Sequence, residues 1–201
     1  MNTFQRIIKG FLDLLVSLIL LPPTLLVMAI ISIIIWIDNP GPILFRQKRL
    51  GENQIPFEIY KFRTMVVNAE ELNHLVERYD DAGNFIHKSE NDPRVTRIGS
   101  FLRKTHLDEI PQVLNIFKGD LSLVGPRPEI ITLFEHYEDW QLHRFSVPQG
   151  LTGWWQINDH SHLPIYMHVE DDLYYIENYS LFLDLRILVL TFGLVLKRFA
   201  N

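Results

Sequence analysis

The chain of 201 residues contains no cysteine, which excludes disulfides, thiolate nucleophiles and zinc–thiolate sites and fits a reducing compartment. It also has no Walker P-loop, no GxGxxG stretch and no internal repeat, which argues against the familiar glycine-rich phosphate cradles. Positive charge is in deficit: Lys plus Arg number 19 against 24 Asp plus Glu, a formal charge of -5. That balance gives no reason to expect a nucleic-acid partner. Charged residues are missing altogether from Leu14 to Ile37. The length suits one domain with its own core, and nothing argues for two.

The uncharged run is what the chain has in excess. About 20 apolar residues suffice for a membrane-embedded helix. A signal peptide is disfavoured, because the apolar core is too long and no small-x-small cleavage pattern follows it. Pro22 and Pro23 fall near its middle and remove two helical donors, so the carbonyls of Leu18 and Ile19 lose their partners and a break or kink is expected. Ser17 is placed to satisfy one freed group. Arg6 and Lys9 precede the run, while Arg46, Lys48 and Arg49 follow it, so both ends carry the positive excess of a cytoplasmic face. The expectation is a re-entrant helix-break-helix over 1–39, with Pro22 and Pro23 as the membrane break; a Pro-kinked span is the alternative.

Asn39-Pro40-Gly41-Pro42 ends this segment. Ile43 to Arg49 and Ile55 to Phe62 then read as a β-hairpin turning at Leu50-Gly51-Glu52-Asn53. In an extended second arm Lys61 and Arg63 share a side. Between 43 and 63, Arg46, Lys48, Arg49, Lys61 and Arg63 outnumber Glu52 and Glu58, a patch suited to anionic lipid or a phosphate-bearing substrate. Arg46 and Lys48 read more simply as a solvated face. Val66 to Tyr79 has helical spacing, and Asp80 to Asp92 reads as a polar loop.

Leu107-Asp108-Glu109-Ile110-Pro111 is the organising stretch. Leu107, Ile110, Leu114 and Phe117 are spaced as one buried helical stripe, with Gly119 as C-terminal cap. Asp108 then lies near the N-cap and Glu109 in the first turn, where the helix dipole favours carboxylates and attracts phosphate. Taken alone, such a pair is ordinary capping. Arg94, Arg97 and Arg103 come shortly before it, and Arg127 sits between Pro126 and Pro128 on a stiff backbone, as a phosphate clamp requires. Trp154-Trp155 is either an interfacial anchor or core filling. Asp159-His160-Ser161-His162 lacks a clear third ligand, which disfavours a transition-metal site. Ile187 to Leu196 is too short to span and suggests an amphipathic helix on the bilayer or packed on the domain.

Several of these segments, taken as an ordered set, resemble the bacterial sugar transferase family, the monotopic phosphoglycosyl transferases or undecaprenyl-phosphate sugar phosphotransferases. They are Tyr60-Lys61-Phe62-Arg63-Thr64-Met65, Asp92-Pro93-Arg94-Val95-Thr96-Arg97-Ile98-Gly99, the dyad with its Asn115 to Gly119 continuation, Gly125-Pro126-Arg127-Pro128 and Gly150-Leu151-Thr152-Gly153. The resemblance implies an α+β, predominantly helical fold: a membrane hairpin over 1–39, and over 40–201 an interfacial catalytic domain with amphipathic helices on the cytoplasmic face of the bacterial inner membrane. It implies that Asp108 attacks the sugar-bearing phosphate of a UDP-sugar, expels UMP and passes the sugar phosphate to polyprenol phosphate. It also implies that Glu109 helps hold Mg²⁺, and that Lys61, Arg63, Arg103 and Arg127 bind phosphate. No extra N-terminal spans are seen, as in a minimal catalytic form. Two departures stand out: Asp159-His160 follows Gln156-Ile157-Asn158 where the family often has Gly-Arg, and the break is Pro22-Pro23 where Ser-Pro is common. The rival readings are a lipid-acceptor glycosyltransferase releasing UDP and a membrane-anchored scaffold. The sugar, the polyprenol length and the oligomeric state, a homodimer included, are left open.

Overall fold

The structure is a computed structural model, and it describes residues 1–72, 92–158 and 168–200. The chain opens with α1, Thr3–Asp38, a single helix of 36 residues. A capping box starts it: the Asn2 side chain accepts the Gln5 N–H and the Gln5 side chain accepts the Asn2 N–H, both at 2.8 Å. The expected division into two helices is not found. Pro22 and Pro23 lie inside α1, and the inward stripe Lys9, Asp13, Ser17, Leu21, Thr24, Met28, Ile31, Ile35 keeps one helical phase across them. Proline's fixed φ is itself helical, so the pair costs donors without forcing the chain out of the helix. Ser17 does not repair that loss; its hydroxyl donates to the Leu14 carbonyl at 2.8 Å.

Both ends of α1 are fastened to the rest of the protein. Near the start, Arg6 pairs with Glu52 and donates to the Ser146 carbonyl, Lys9 meets Asp184 at 2.8 Å, and Asp13 accepts from Ser122 Oγ at 2.7 Å. Near the end, Ile31 and Ile35 pack with Phe62 and Leu102, and the Asn39 carbonyl accepts from Arg63. The outward face is apolar and bare, including Leu18, Ile19, Leu26, Ile30 and Ile33. The helix is long and apolar enough to cross a membrane by length and composition.

The expected hairpin is present as β1, Leu44–Leu50, and β2, Pro56–Phe62, paired antiparallel with Lys61 opposite Phe45. A short β4, Glu129–Ile130, adds to the other edge of β1, giving the order β2-β1-β4, with Arg49 opposite Ile130. A second, parallel pair joins β3, Ser122–Val124, to β5, Gly150–Thr152. The remaining helices are α2, Arg97–Thr105, α3, Val113–Lys118, α4, Trp154–Ile157, α5, Val169–Glu177, and α6, Leu181–Ala200. The helix expected over Val66 to Tyr79 is turns in its described part, 67–72; its remainder, most of the Asp80 to Asp92 loop and the Asp159 to His162 stretch lie outside the described residues.

Two apolar clusters hold these pieces. Ile31, Ile35, Phe62 and Leu102 form one, against which Leu107 and Ile110 pack. Val124, Val147, Tyr175, Tyr179, Leu183 and Ile187 are members of the other. The short C-terminal run thus belongs to the longer α6, whose inner face is Leu183, Asp184 and Ile187. Phe182, Leu185, Val189, Phe192 and Leu196 stay exposed on its outside, at the three- and four-residue spacing of one stripe. Contiguous exposed apolar stripes such as those on α1 and α6 are the kind of surface that a membrane or a partner covers.

Candidate active site

The dyad lies on a 3₁₀ segment, Leu107–Gln112, not at the start of a single α-helix. His106, left-handed at φ 58°, reverses the chain after α2, and the Glu109 N–H bonds to its carbonyl at 3.2 Å. Pro111 supplies no N–H and disfavours an α conformation at Ile110, so α3 begins only at Val113. Asp108 is therefore no N-cap. The inner positions go to Gln112, Val113, Asn115 and Ile116, while Phe117 of the expected stripe is exposed. Gly119 closes α3 as expected, at φ 82°.

Asn115 fixes this segment to the hairpin. Its side chain accepts the Tyr60 N–H at 3.1 Å and donates to the Glu58 carbonyl at 2.6 Å, as a neighbouring strand would. Lys61, opposite in side-chain direction to Tyr60, then reaches Glu109: Nζ to Oε1 is 2.7 Å. Arg127 approaches the same oxygen at 3.9 Å. Arg103 comes from the other side. Gly99 lets α2 press on Thr64, where a Cβ would meet the carbonyl oxygen at 2.0 Å, and one turn later Arg103 Nε donates to Thr64 Oγ1 at 2.8 Å.

These surroundings separate two adjacent carboxyls. Burial, then the charge of Glu109, pushes Asp108 up to about 6 against the pull of Lys61 and Arg103. Burial also pushes Glu109 up, but Lys61 and Arg127 together overcome it and hold the group at about 2. Environments that drive two neighbouring acids apart commonly assign them different roles. Asp108 keeps the more basic, more nucleophilic oxygen; Glu109 is committed to cations.

The loop carrying Arg127 is braced at three successive carbonyls. Pro126 accepts from the Gly150 N–H at 2.8 Å, Arg127 from Arg144 Nη2 at 2.6 Å, and Pro128 from Arg49 Nη1 at 3.3 Å. Arg144 is itself buried against Asp172, with Nε to Oδ2 at 2.8 Å. The Arg127 guanidinium lies 4.8 Å from the ring of buried Trp155, which settles the role of that tryptophan as core and support. Trp154 stacks on Tyr174 at 4.9 Å.

A family model described as bacterial sugar transferase matches residues 4–198. The chain belongs to that family. Relatives of the chain include a "UDP-galactose-lipid carrier transferase" of Erwinia amylovora, 38% identical over 96% of the chain and 41% of the relative. An "Uncharacterized sugar transferase EpsL" of Bacillus subtilis is 37% identical over 94% of the chain and 88% of the relative. A "UDP-glucose:undecaprenyl-phosphate glucose-1-phosphate transferase" of Escherichia coli is 35% identical over 98% of the chain and 41% of the relative. The chain thus spans about two fifths of the length of the Erwinia and Escherichia proteins.

Of the residues expected at a sugar transferase site, Asp108, Glu109, Lys61, Arg103 and Arg127 come together. Arg63 does not: it is turned to the carbonyl of Asn39 and braces the exit of α1. Pro22 and Pro23 stay within α1. Gln112 was not singled out by sequence and carried no signal there; Arg49 was read only as a member of the cationic hairpin and Trp155 only as half of the tryptophan pair, yet Arg49 and Gln112 line the same cleft as Lys61, Glu109 and Arg127. Among the described residues no group of three or more His, Asp or Glu could hold a metal by itself. Both cations meet Oε1 of Glu109, leaving Oε2, and Mg²⁺ prefers one or two carboxylates plus substrate oxygens to a protein cage. The donor set fits an ion shared with a diphosphate.

Proposed function

We propose that this sugar transferase moves a sugar-1-phosphate from a UDP-sugar to polyprenol phosphate through a phosphosugar adduct on Asp108. The different settings of the two carboxyls, Asp108 partly buried with no cation in direct contact among the described residues and Glu109 pinned at Oε1 by Lys61 and Arg127, are the observation that carries the reading. In the first step an Asp108 carboxylate oxygen attacks the sugar-bearing phosphorus; the bond to the bridging oxygen breaks and its electron pair leaves on UMP. In the second, a phosphate oxygen of the polyprenol phosphate attacks the same phosphorus and Asp108 departs as carboxylate. Splitting the transfer this way makes each displacement easier, because the acyl phosphate is itself activated. Lys61, Arg103 and Arg127 offset the repulsion between an anionic nucleophile and an anionic diphosphate. Mg²⁺ held by Glu109 would add positive charge to the leaving diphosphate oxygens. The names of the Erwinia and Escherichia relatives, which pair a UDP-sugar with a lipid carrier or undecaprenyl phosphate, support the same substrates.

We also propose that both ends of α1 lie on the cytoplasmic side of the bilayer, with its bare apolar face immersed. Polar ties at both of its ends to one body support this over a helix crossing the membrane, whose ends would lie on opposite sides. Because the chain has no cysteine, a single cysteine placed at Asn2 can be labelled alone; reaction with an impermeant reagent from the periplasmic side only would overturn this topology. The chemical reading is tested by the nucleotide released on turnover. UMP, with a mass adduct on the protein when donor is given without lipid, is expected. Release of UDP alone would favour an ordinary glycosyl transfer and remove the adduct.

A further inference from the structure

Arg49 sits at the end of β1, where β4 pairs with it directly after the Arg127 loop. Its guanidinium lines the cleft of Lys61, Glu109 and Arg127. Three of its hydrogen bonds are fixed: Nε and Nη2 donate to Gln47 Oε1 at 3.1 and 2.7 Å, and Nη1 donates to the Pro128 carbonyl at 3.3 Å. All of these acceptors are neutral, and an arginine has five N–H groups to offer. The nearby carboxylate of Glu129 is already engaged, by the Tyr137 hydroxyl and by the Ile130 N–H at 2.7 Å. Burial and the neighbouring Arg127 together lower the Arg49 guanidinium to about 10. Arg49 and Arg127 line one partly buried cleft, where Glu129 and Glu109 offset only part of the cost of burying the Arg49 charge, and a bound anion would offset more.

Four cations line the site. Arg103 acts on Asp108, Lys61 and Arg127 meet Glu109, and Arg49 lines the same cleft as Lys61, Glu109 and Arg127. A diphosphate with its sugar-bearing phosphorus at Asp108 has a second phosphate to place, and the cleft that Arg127 and Arg49 line is the cationic place for it. We propose that Arg49 is a further substrate-contacting residue, binding the phosphate that stays on the nucleoside and leaves with it in the first step. This rests on the sugar-phosphate transfer proposed above.

Binding of UMP and of uridine to the detergent-purified protein, followed by calorimetry, tests it. Loss of one charge-assisted contact lowers affinity by roughly 10- to 100-fold. Arg49→Met and Arg49→Gln are expected to weaken UMP by that factor and to leave the uridine affinity within about twofold, because uridine has no phosphate. Thermal melting identifies which variant folds, and either one decides. Retention of wild-type UMP affinity in a folded variant overturns the proposal. So does an equal loss for UMP and uridine, the signature of a residue that only props the Pro128 loop. The parent reading fails separately, if the wild-type protein releases UDP rather than UMP.

Discussion

Asp108→Asn is expected to abolish turnover while making the protein more stable. The carboxyl is partly buried beside Glu109, and its displacement from 3.8 to about 6 corresponds to at most about 3 kcal/mol of unfavourable charge. Part of the side chain reaches solvent, so a gain of about 1–2 kcal/mol is the working figure. The sign follows from the direction of the shift. Asp108 is more protonated in the folded than in the unfolded chain between pH 4 and 6, so the charged form costs stability at pH 7. Asparagine keeps the shape and removes that cost. Each kcal/mol raises the melting temperature by roughly 2–4 °C in a chain of this size, and the gain should vanish below about pH 4, where both states carry a neutral acid. UMP release should fall by on the order of 10³-fold or more, because no other group can form the adduct. Paired melting curves at pH 7 and pH 4, run beside a UMP assay, give both readouts. An active variant, or one that melts below the wild type at pH 7, would refute the reasoning; lower stability is what a capping carboxylate would show.

Lowering the pH through about 6 should protonate Asp108 and reduce UMP formation by close to tenfold per unit below it; a rate flat from pH 5 to 7 would contradict the assignment. Glu109→Gln should act with the opposite sign to Asp108→Asn and destabilise by about 1–3 kcal/mol, since it leaves Lys61 without its carboxylate. The stability that Glu109 contributes is present above its unfolded value near 4.5 and fades as pH falls toward 2, so melting at pH 7 reads it; an unchanged melt, or an unchanged Mg²⁺ titration of activity, would count against its role. Trp155→Leu should raise KM for the donor several-fold, through loss of about 0.5–2 kcal/mol of support under Arg127, and should lower the melting temperature because the ring is buried; an unaltered KM in the folded variant would reject that contact. Lys9→Met should cost about 3–5 kcal/mol because Asp184 is left buried without its cation, whereas Lys9→Met with Asp184→Leu should recover much of the loss, as comparison of the two melts will show.

What the sequence disclosed, and what it withheld, divides along local and non-local lines. The hairpin, the Gly119 cap and the juxtaposition of Asp108 with Glu109 are local, and each is found. The stripe counted from Leu107 failed at Phe117 for a physical reason. Six residues of 3₁₀ turn advance by about 120° each instead of 100°, which rotates everything downstream by about a third of a turn. Lys61 and Arg63 diverge because β2 ends at Phe62, so the alternation that placed them on one side has stopped. Arg49 was indistinguishable from its cationic neighbours until β4, about eighty positions on, closed over it. The path of α1 through Pro22 and Pro23 likewise depends on what lies against it, since the packing that holds the helical phase comes from α3, β2 and α2 and is invisible in the apolar run itself.

The same non-local contacts tie the apolar helix α1 to both parts of the candidate site. Lys9 and Asp13 at the start of α1 bind Asp184, Ser122 and the Leu123 N–H, and β3 leads directly into the Gly125 to Pro128 loop that presents Arg127. Ile31 and Ile35 near its end pack on Phe62 and Leu102, the neighbours of Lys61 and Arg103. Opposite ends of one helix therefore support opposite walls of the cleft. Tyr175 strengthens the first tie by donating to Asp184 at 2.8 Å, a buried network whose members depend on one another. A displacement of α1 would be felt at Arg127 through β3, and at Lys61 and Arg103 through the Phe62 cluster. For the transfer proposed above, with one substrate arriving from water and the other from lipid, that coupling would set the depth of the two carboxyls relative to the membrane surface.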